Sequence, residues 1–157
     1  MKTMHMLMMP MVLTGGLSTA ALADEGGLSP SKLESLLNDA NAYGFTHYDE
    51  VAIDDGSRLE VEGWRDDGWQ LDIDMLVEDG SLVHEKRHKD TIPNWSLTSD
   101  ELHQALSNAQ GAGMKRFAEL DVDERGHVDI EGYDAQNSEI DIRLERNDLT
   151  VTGVEHD

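Results

Sequence analysis

Apolar and polar residues alternate through Leu59 to Ile73, and this stretch organises the reading of the whole chain. Leu59 and Val61 alternate with Glu60 and Glu62. Asp66-Asp67-Gly68 then breaks the pattern, and Leu71 and Ile73 resume it around Asp72, with Asp74 beyond. A period of two marks a strand with one buried face, and Asp-Gly between two such runs marks a hairpin. The pattern recurs 69 positions on, from Val128 to Ile142. There Val128 and Ile130 take the places of Leu59 and Val61, Gly132 that of Gly63, and Ile140 and Ile142 those of Leu71 and Ile73.

The helices repeat at the same offset. Leu33, Leu36, Leu37 and Ala40 form one helical stripe, opened by Ser29 as N-cap with Pro30 in the first turn. Leu102, Ala105, Leu106 and Ala109 form the other, opened by Thr98, with Glu101 completing a capping box. Leu28 with Leu33, and Leu97 with Leu102, are placed as hydrophobic staples. Gly44 and Gly113 end the two stripes. Strand patterns follow each helix: Val51 and Ile53, the hairpin, then Leu82-Val83; and Leu120 and Val122, the hairpin, then Val151.

The expected fold class is α+β: two tandem units, each one helix packed on a roughly four-stranded antiparallel sheet. Residues 28–88 form unit 1, 89–96 a linker with Pro93 and Trp95, and 97–157 unit 2. Gly63 and Gly132 are expected at equivalent positions just beyond the second strand of each unit. Trp95 is expected to pack between the units.

The first residues read differently. Lys2 and His5 precede an apolar run from Met6 to Leu17, and Ala21-Leu22-Ala23 is a small-x-small cleavage site. This pattern predicts a signal peptide over 1–23, cleaved after Ala23, with 24–27 as a polar leader and a periplasmic or secreted product. The apolar run is too short for a membrane span. With no Cys, the product has neither disulfides nor a thiol nucleophile.

The formal net charge is −21, which argues against nucleic acid and anionic membrane as partners. It fits a basic protein surface, weakly held divalent cations, or a solvated surface in a saline habitat. The acidic positions of the hairpins, Glu60, Glu62, Asp72, Asp74, Asp129, Glu131 and Asp141, lie opposite the apolar ones and should form one outward face per unit. Arg143 relieves the second. Such a face is either solvated or a docking surface.

Three other constellations could carry chemistry. His84-Glu85-Lys86-Arg87-His88 spells HExxH, a zinc-peptidase signature that requires a helix to bring both His to one side. Here it follows the strand start Leu82-Val83, with Lys86 and Arg87 inside the motif, and Glu101 or His103 as third ligand would sit on a separate helix. The zinc peptidase therefore stands behind the two binding readings. Asp121 to Gly126 is similar to the start of a calcium loop, but Arg125 stands where an oxygen ligand is needed, so a hairpin turn is expected. Trp64, Trp69 and Tyr133 near the hairpins fit packing better than a binding patch. No phosphate loop and no G-x-S-x-G is present. No catalytic residue, metal ligand or cofactor is assigned, and a non-enzyme is expected.

A helix followed by Gly44-Phe45, Glu50 to Ile53, Leu59-Glu60-Val61-Glu62-Gly63, Asp67-Gly68, Leu71-Asp72-Ile73 and Asp79-Gly80-Ser81-Leu82-Val83 resembles the PepSY domain family. The likeness covers nearly all of the exported chain as two copies. The second copy departs from the pattern at Asn137 and at Asp148-Leu149. The resemblance implies a non-catalytic module of the cell envelope, with an inhibitory or regulatory role toward a peptidase. It carries over no catalytic residues.

Overall fold

A computed structural model describes residues 26–157. The predicted signal peptide, its cleavage site and the start of the leader lie outside the described residues.

Helix α1 (Pro30–Ala40) starts where the caps place it: the Ser29 hydroxyl accepts from the Lys32 N–H, and Pro30 occupies the first turn. Helix α2 (Ser99–Gly111) opens with the full capping box. The Glu101 N–H donates to Thr98 Oγ1 at 3.3 Å, and the Thr98 N–H to Glu101 Oε2 at 2.8 Å. Each helix buries its predicted stripe. Around them run β1 (Phe45–Asp54), β2 (Arg58–Arg65), β3 (Trp69–Leu76), β4 (Leu82–Lys89), the two-residue β5 (Leu97–Thr98), β6 (Arg116–Val122), β7 (His127–Tyr133), β8 (Glu139–Glu145) and β9 (Val151–His156).

The strands do not divide into two sheets. They form one nine-stranded antiparallel sheet in the order β4-β3-β2-β1-β6-β7-β8-β9, with β5 beside the start of β1. The expected pair of tandem helix-on-sheet units is therefore corrected to a single sheet carrying two short helices on one face. The seam is the β1–β6 pair, where Glu50, Val51 and Ala52 face Asp121, Leu120 and Glu119. The physical reason is edge satisfaction. Two separate sheets would each leave a long strand edge with unpaired N–H and C=O groups, which pairing β1 with β6 removes. The packing follows the seam: α1 reaches β6, and α2 lies on β1 and β7. Among the described residues, all the buried apolar ones but Trp64 join one cluster, from Leu33 and Leu59 to Leu106 and Ile142.

Register keeps the 69-residue offset. Val61 faces Ile73 across β2–β3, and Ile130 faces Ile142 across β7–β8. Gly63 and Gly132 lie within β2 and β7 rather than beyond them. Each sits beside an irregularity of its neighbour strand, β1 or β6, where a Cβ would meet the carbonyl oxygen of His47 or Arg116. Close backbone approach explains why both positions lack a side chain.

Between β4 and β5 the chain returns across the sheet. Trp95 meets Trp64 edge-on at 5.7 Å. Arg146 then fastens the return: it donates to the carbonyls of Trp95 and Ser96 at 2.9 and 2.7 Å and grips both Glu101 oxygens at 2.8 and 3.0 Å.

Candidate functional site: a carboxylate-lined sheet face

Because side chains alternate across a strand, burying Val and Leu under the helices sends the intervening acids to the opposite face. One continuous sheet then aligns them across both halves. A first cross-strand row runs Lys86, Asp72, Glu62, Glu50, Asp121, Asp129, Arg143 from β4 to β8. A second runs His84, Asp74, Glu60, Ala52, Glu119, Glu131, Asp141, Glu155, reaching β9. The seven acidic residues predicted from the sequence all lie in these rows. Cations stand only at the ends of the first row, where Lys86 meets Asp72 and Arg143 meets Asp129, each at 2.8 Å.

Carboxylates directly opposite one another repel, and part-burial strengthens the repulsion by keeping water out. Glu62 lies between Asp72 and Glu50. Burial, then the charges of Asp49 and Asp72, push its carboxyl up to about 7. Asp49 sits in the β1 irregularity between Tyr48 and Glu50. Its Oδ1 is buried without a hydrogen-bond partner among the described residues, and desolvation pushes its carboxyl up to about 6. Glu50, Glu60, Asp121 and Glu131 are raised for the same reasons, burial first and acidic neighbours second. Near neutral pH the centre of this face holds protons that isolated carboxyls would have released.

Two local features stand out. Glu60, Glu62 and Asp72 each offer an oxygen within 4.8 Å of the others, the geometry a divalent cation would need. On the other half, a groove of about 360 Å³ is lined by Glu119, Asp121, Asp129, Glu131, Asp141 and Glu155, with Arg143 and Gly153.

The remaining candidates fall elsewhere. The HExxH residues lie in β4, an extended strand. His84 and His88 stand opposite Asp74 and Gln70, roughly 13 Å apart along the strand, while Glu85 opposes Ile73. The helical zinc geometry is not formed. Glu101 is held by Thr98 and Arg146, and His103 by the Ser99 carbonyl. Asp123 takes the N–H groups of Arg125 and His127 in a tight turn, in place of a calcium loop. Trp64 is buried against Trp95, Trp69 lies under Arg87 and Lys89, and Tyr133 under Arg116, so the three form no common patch.

Asp49, Glu50, Glu119, Asp121 and Glu155 were not among the predicted residues. Glu119 and Asp121 carried a signal, since they alternate with Leu120 and Val122. Nothing local marked their place beside Glu50, which depends on the β1–β6 seam.

The sequence matches no protein-family model, and a comparison with curated proteins finds no match. Among solved structures, the chain is similar to a candidate lipoprotein from Clostridium difficile 630 at 17% identity and a TM-score of 0.42, over 87% of this chain and 98% of that one. No helix among the described residues is long and apolar enough to cross a membrane.

Proposed function

We propose that this chain is a non-catalytic, exported binding module whose carboxylate face docks a basic protein surface. The observation that carries the reading is the pair of aligned acidic rows, with Glu62 pushed up to about 7 and Asp49 to about 6. A face that repels itself when free gains most from a cationic partner, which supplies the missing counter-charge. The signal-peptide pattern supports an envelope or secreted setting. The resemblance to PepSY domains supports a peptidase as the regulated partner.

The test is calorimetric titration with poly-L-lysine at pH 7.5, repeated with Glu62→Lys and Asp121→Lys together. Binding should fall at least about tenfold in the double variant and weaken steeply with salt. Binding that ignores both changes would refute the reading.

A second reading rests on the convergence of Glu60, Glu62 and Asp72. If these residues serve as a calcium site, millimolar calcium should raise the Tm well above magnesium at matched ionic strength, by mass action on the native state. Asp72→Asn with Asp74→Asn should abolish that gain. On the basic-surface reading the two cations give similar, modest gains.

A further inference from the structure

The two edges of the sheet differ. β4 is guarded in the way that protects exposed edges from stray pairing, with Lys86, Arg87 and Lys89 along it. β9 is not. Its outer side has no neighbouring strand among the described residues, and it carries Val151, Thr152, Gly153 and Val154 with one acid, Glu155, and His156, which lies 3.6 Å from Asp134. Val151 and Val154 are each 39% exposed, on the side of the sheet that carries the helices. On the opposite side the acidic groove runs out to this edge at Gly153 and Glu155. No side chain at Gly153 closes it; a Cβ there would find only Arg143 Cβ, at 3.9 Å.

The first half displays what fits beside such a face. β4 lies against β3 with His84, Lys86 and His88 on the carboxylate side, and Lys86 reaches Asp72 at 2.8 Å. β9 holds the equivalent place beside β8 but turns Gly153 and Glu155 to that side, so the second row ends in an acid with no cation beyond it. Resting on the basic-surface reading, the geometry points to strand addition: an extended basic segment of a partner protein pairs with β9, its cations alternating onto the carboxylate face and its apolar residues onto Val151 and Val154. Main-chain hydrogen bonds supply affinity in this mode, and alternate side chains supply specificity. The β4 of a second copy is the weaker occupant. Lys86 already holds Asp72, and Lys89 already donates to the Asp67 carbonyl at 2.8 Å. Pairing β4 of one copy with β9 of the next would also be head-to-tail, a contact that leaves a free edge at each end unless its rotation closes a ring.

The experiment uses the purified chain and three fluorescent eight-residue peptides: strictly alternating Lys and Val, the same residues in two blocks, and the alternating peptide N-methylated at every second residue. By fluorescence anisotropy, the alternating peptide should bind at least about tenfold tighter than the other two, a difference of about 1.4 kcal/mol. Glu155→Lys should erase that preference, with thermal unfolding checking that the variant folds. Equal binding by all three peptides would overturn strand addition and leave the docking face standing. Binding by none would overturn both. Assembly of the chain with itself, abolished by Lys86→Glu, would give β9 to a second copy and overturn the proposal.

Discussion

Replacing Glu62 by Gln should stabilise the protein at pH 8 and leave it unchanged near pH 4.5. In the folded chain burial and its acidic neighbours raise this carboxyl from near 4.5 to about 7. Between those values the native state holds a proton that the unfolded chain releases, so stability falls as pH rises through the window. At full weight, about 1.4 kcal/mol per pH unit would make the loss about 3 kcal/mol. The side chain is partly exposed, and solvent screening brings this to about 1 kcal/mol. Asp49, raised from 3.8 to about 6, adds a loss of the same sign at lower pH. The opposite slope appears in acid. Asp123 is held at about 2 by hydrogen bonds from His127, so its contribution disappears as pH falls below 3.8. Glu101, partly desolvated, is still held low by Arg146 and Thr98 and acts in the same direction. Stability should therefore peak near pH 4, between the two sets. Urea unfolding at pH 5 and 8 measures this directly, and at pH 8 Glu62→Gln should raise the Tm by roughly 2–4 °C. A wild type more stable at pH 8 than at pH 5, or a Gln variant with equal gains at both, would refute the electrostatic account.

Five further substitutions, at four positions, test the frame that holds the face. Gly63→Ala should destabilise by about 1–3 kcal/mol in urea, because its Cβ meets the His47 carbonyl; Gly111→Ala, with nothing within 4 Å, should instead gain up to about 1 kcal/mol. Arg146→Ala should lose about 2–4 kcal/mol by leaving Glu101 and the carbonyls of Trp95 and Ser96 without their donor, and Arg146→Lys should recover little because one ammonium cannot replace the fork. Leu149 combines φ +57° with 2% exposure, so Leu149→Gly relieves about 1 kcal/mol of backbone strain but empties a core site at about 2–5 kcal/mol; calorimetry should show a net loss.

How far these features were legible follows from the range of the interactions. The helix stripes, both caps and the β2–β3 and β7–β8 hairpins depend on residues close in the chain, and periodicity displayed them. Even the departures in the second copy kept their geometry: Asn137 and Leu149 adopt φ +67° and +57° where Gly68 and Gly80 adopt +76° and +72°. The β1–β6 seam joins residues 67 to 71 positions apart, from Ala52 with Glu119 to Glu50 with Asp121. Its register is set by which edges remain unpaired once each hairpin has formed, and alternation within one strand is silent about its neighbour. The same limit applies to the site. Each acid announced its own side of its strand, so the seven predicted residues could be named from the hairpins alone. Their merger into two rows, and the placing of Asp49 and Glu62 at the raised centre, needed the seam and the β1 irregularity.

That merger changes the electrostatics as well as the shape. Split at the seam, each half would leave Glu50 and Asp121 on solvated edges, where water screens their charges. Joined, Glu50 has Glu62 on one side and Asp121 on the other, and its carboxyl is raised by burial and then by Glu60, Glu119, Asp121 and Asp49, charges drawn from both halves. Closing the sheet thus satisfies two strand edges at the expense of concentrating like charge over them. The repulsion cannot be relieved from within, because the neighbouring cations, Lys86 and Arg143, already hold Asp72 and Asp129 at the far ends of the row. Relief at the centre must come from protons, salt or a cationic partner, and all three should therefore compete. Raising NaCl should flatten the fall in stability between pH 5 and 8, and should weaken poly-L-lysine binding over the same range of concentrations. A pH dependence that persisted unchanged in 1 M salt would place its origin in desolvation alone and remove the repulsive argument for a partner.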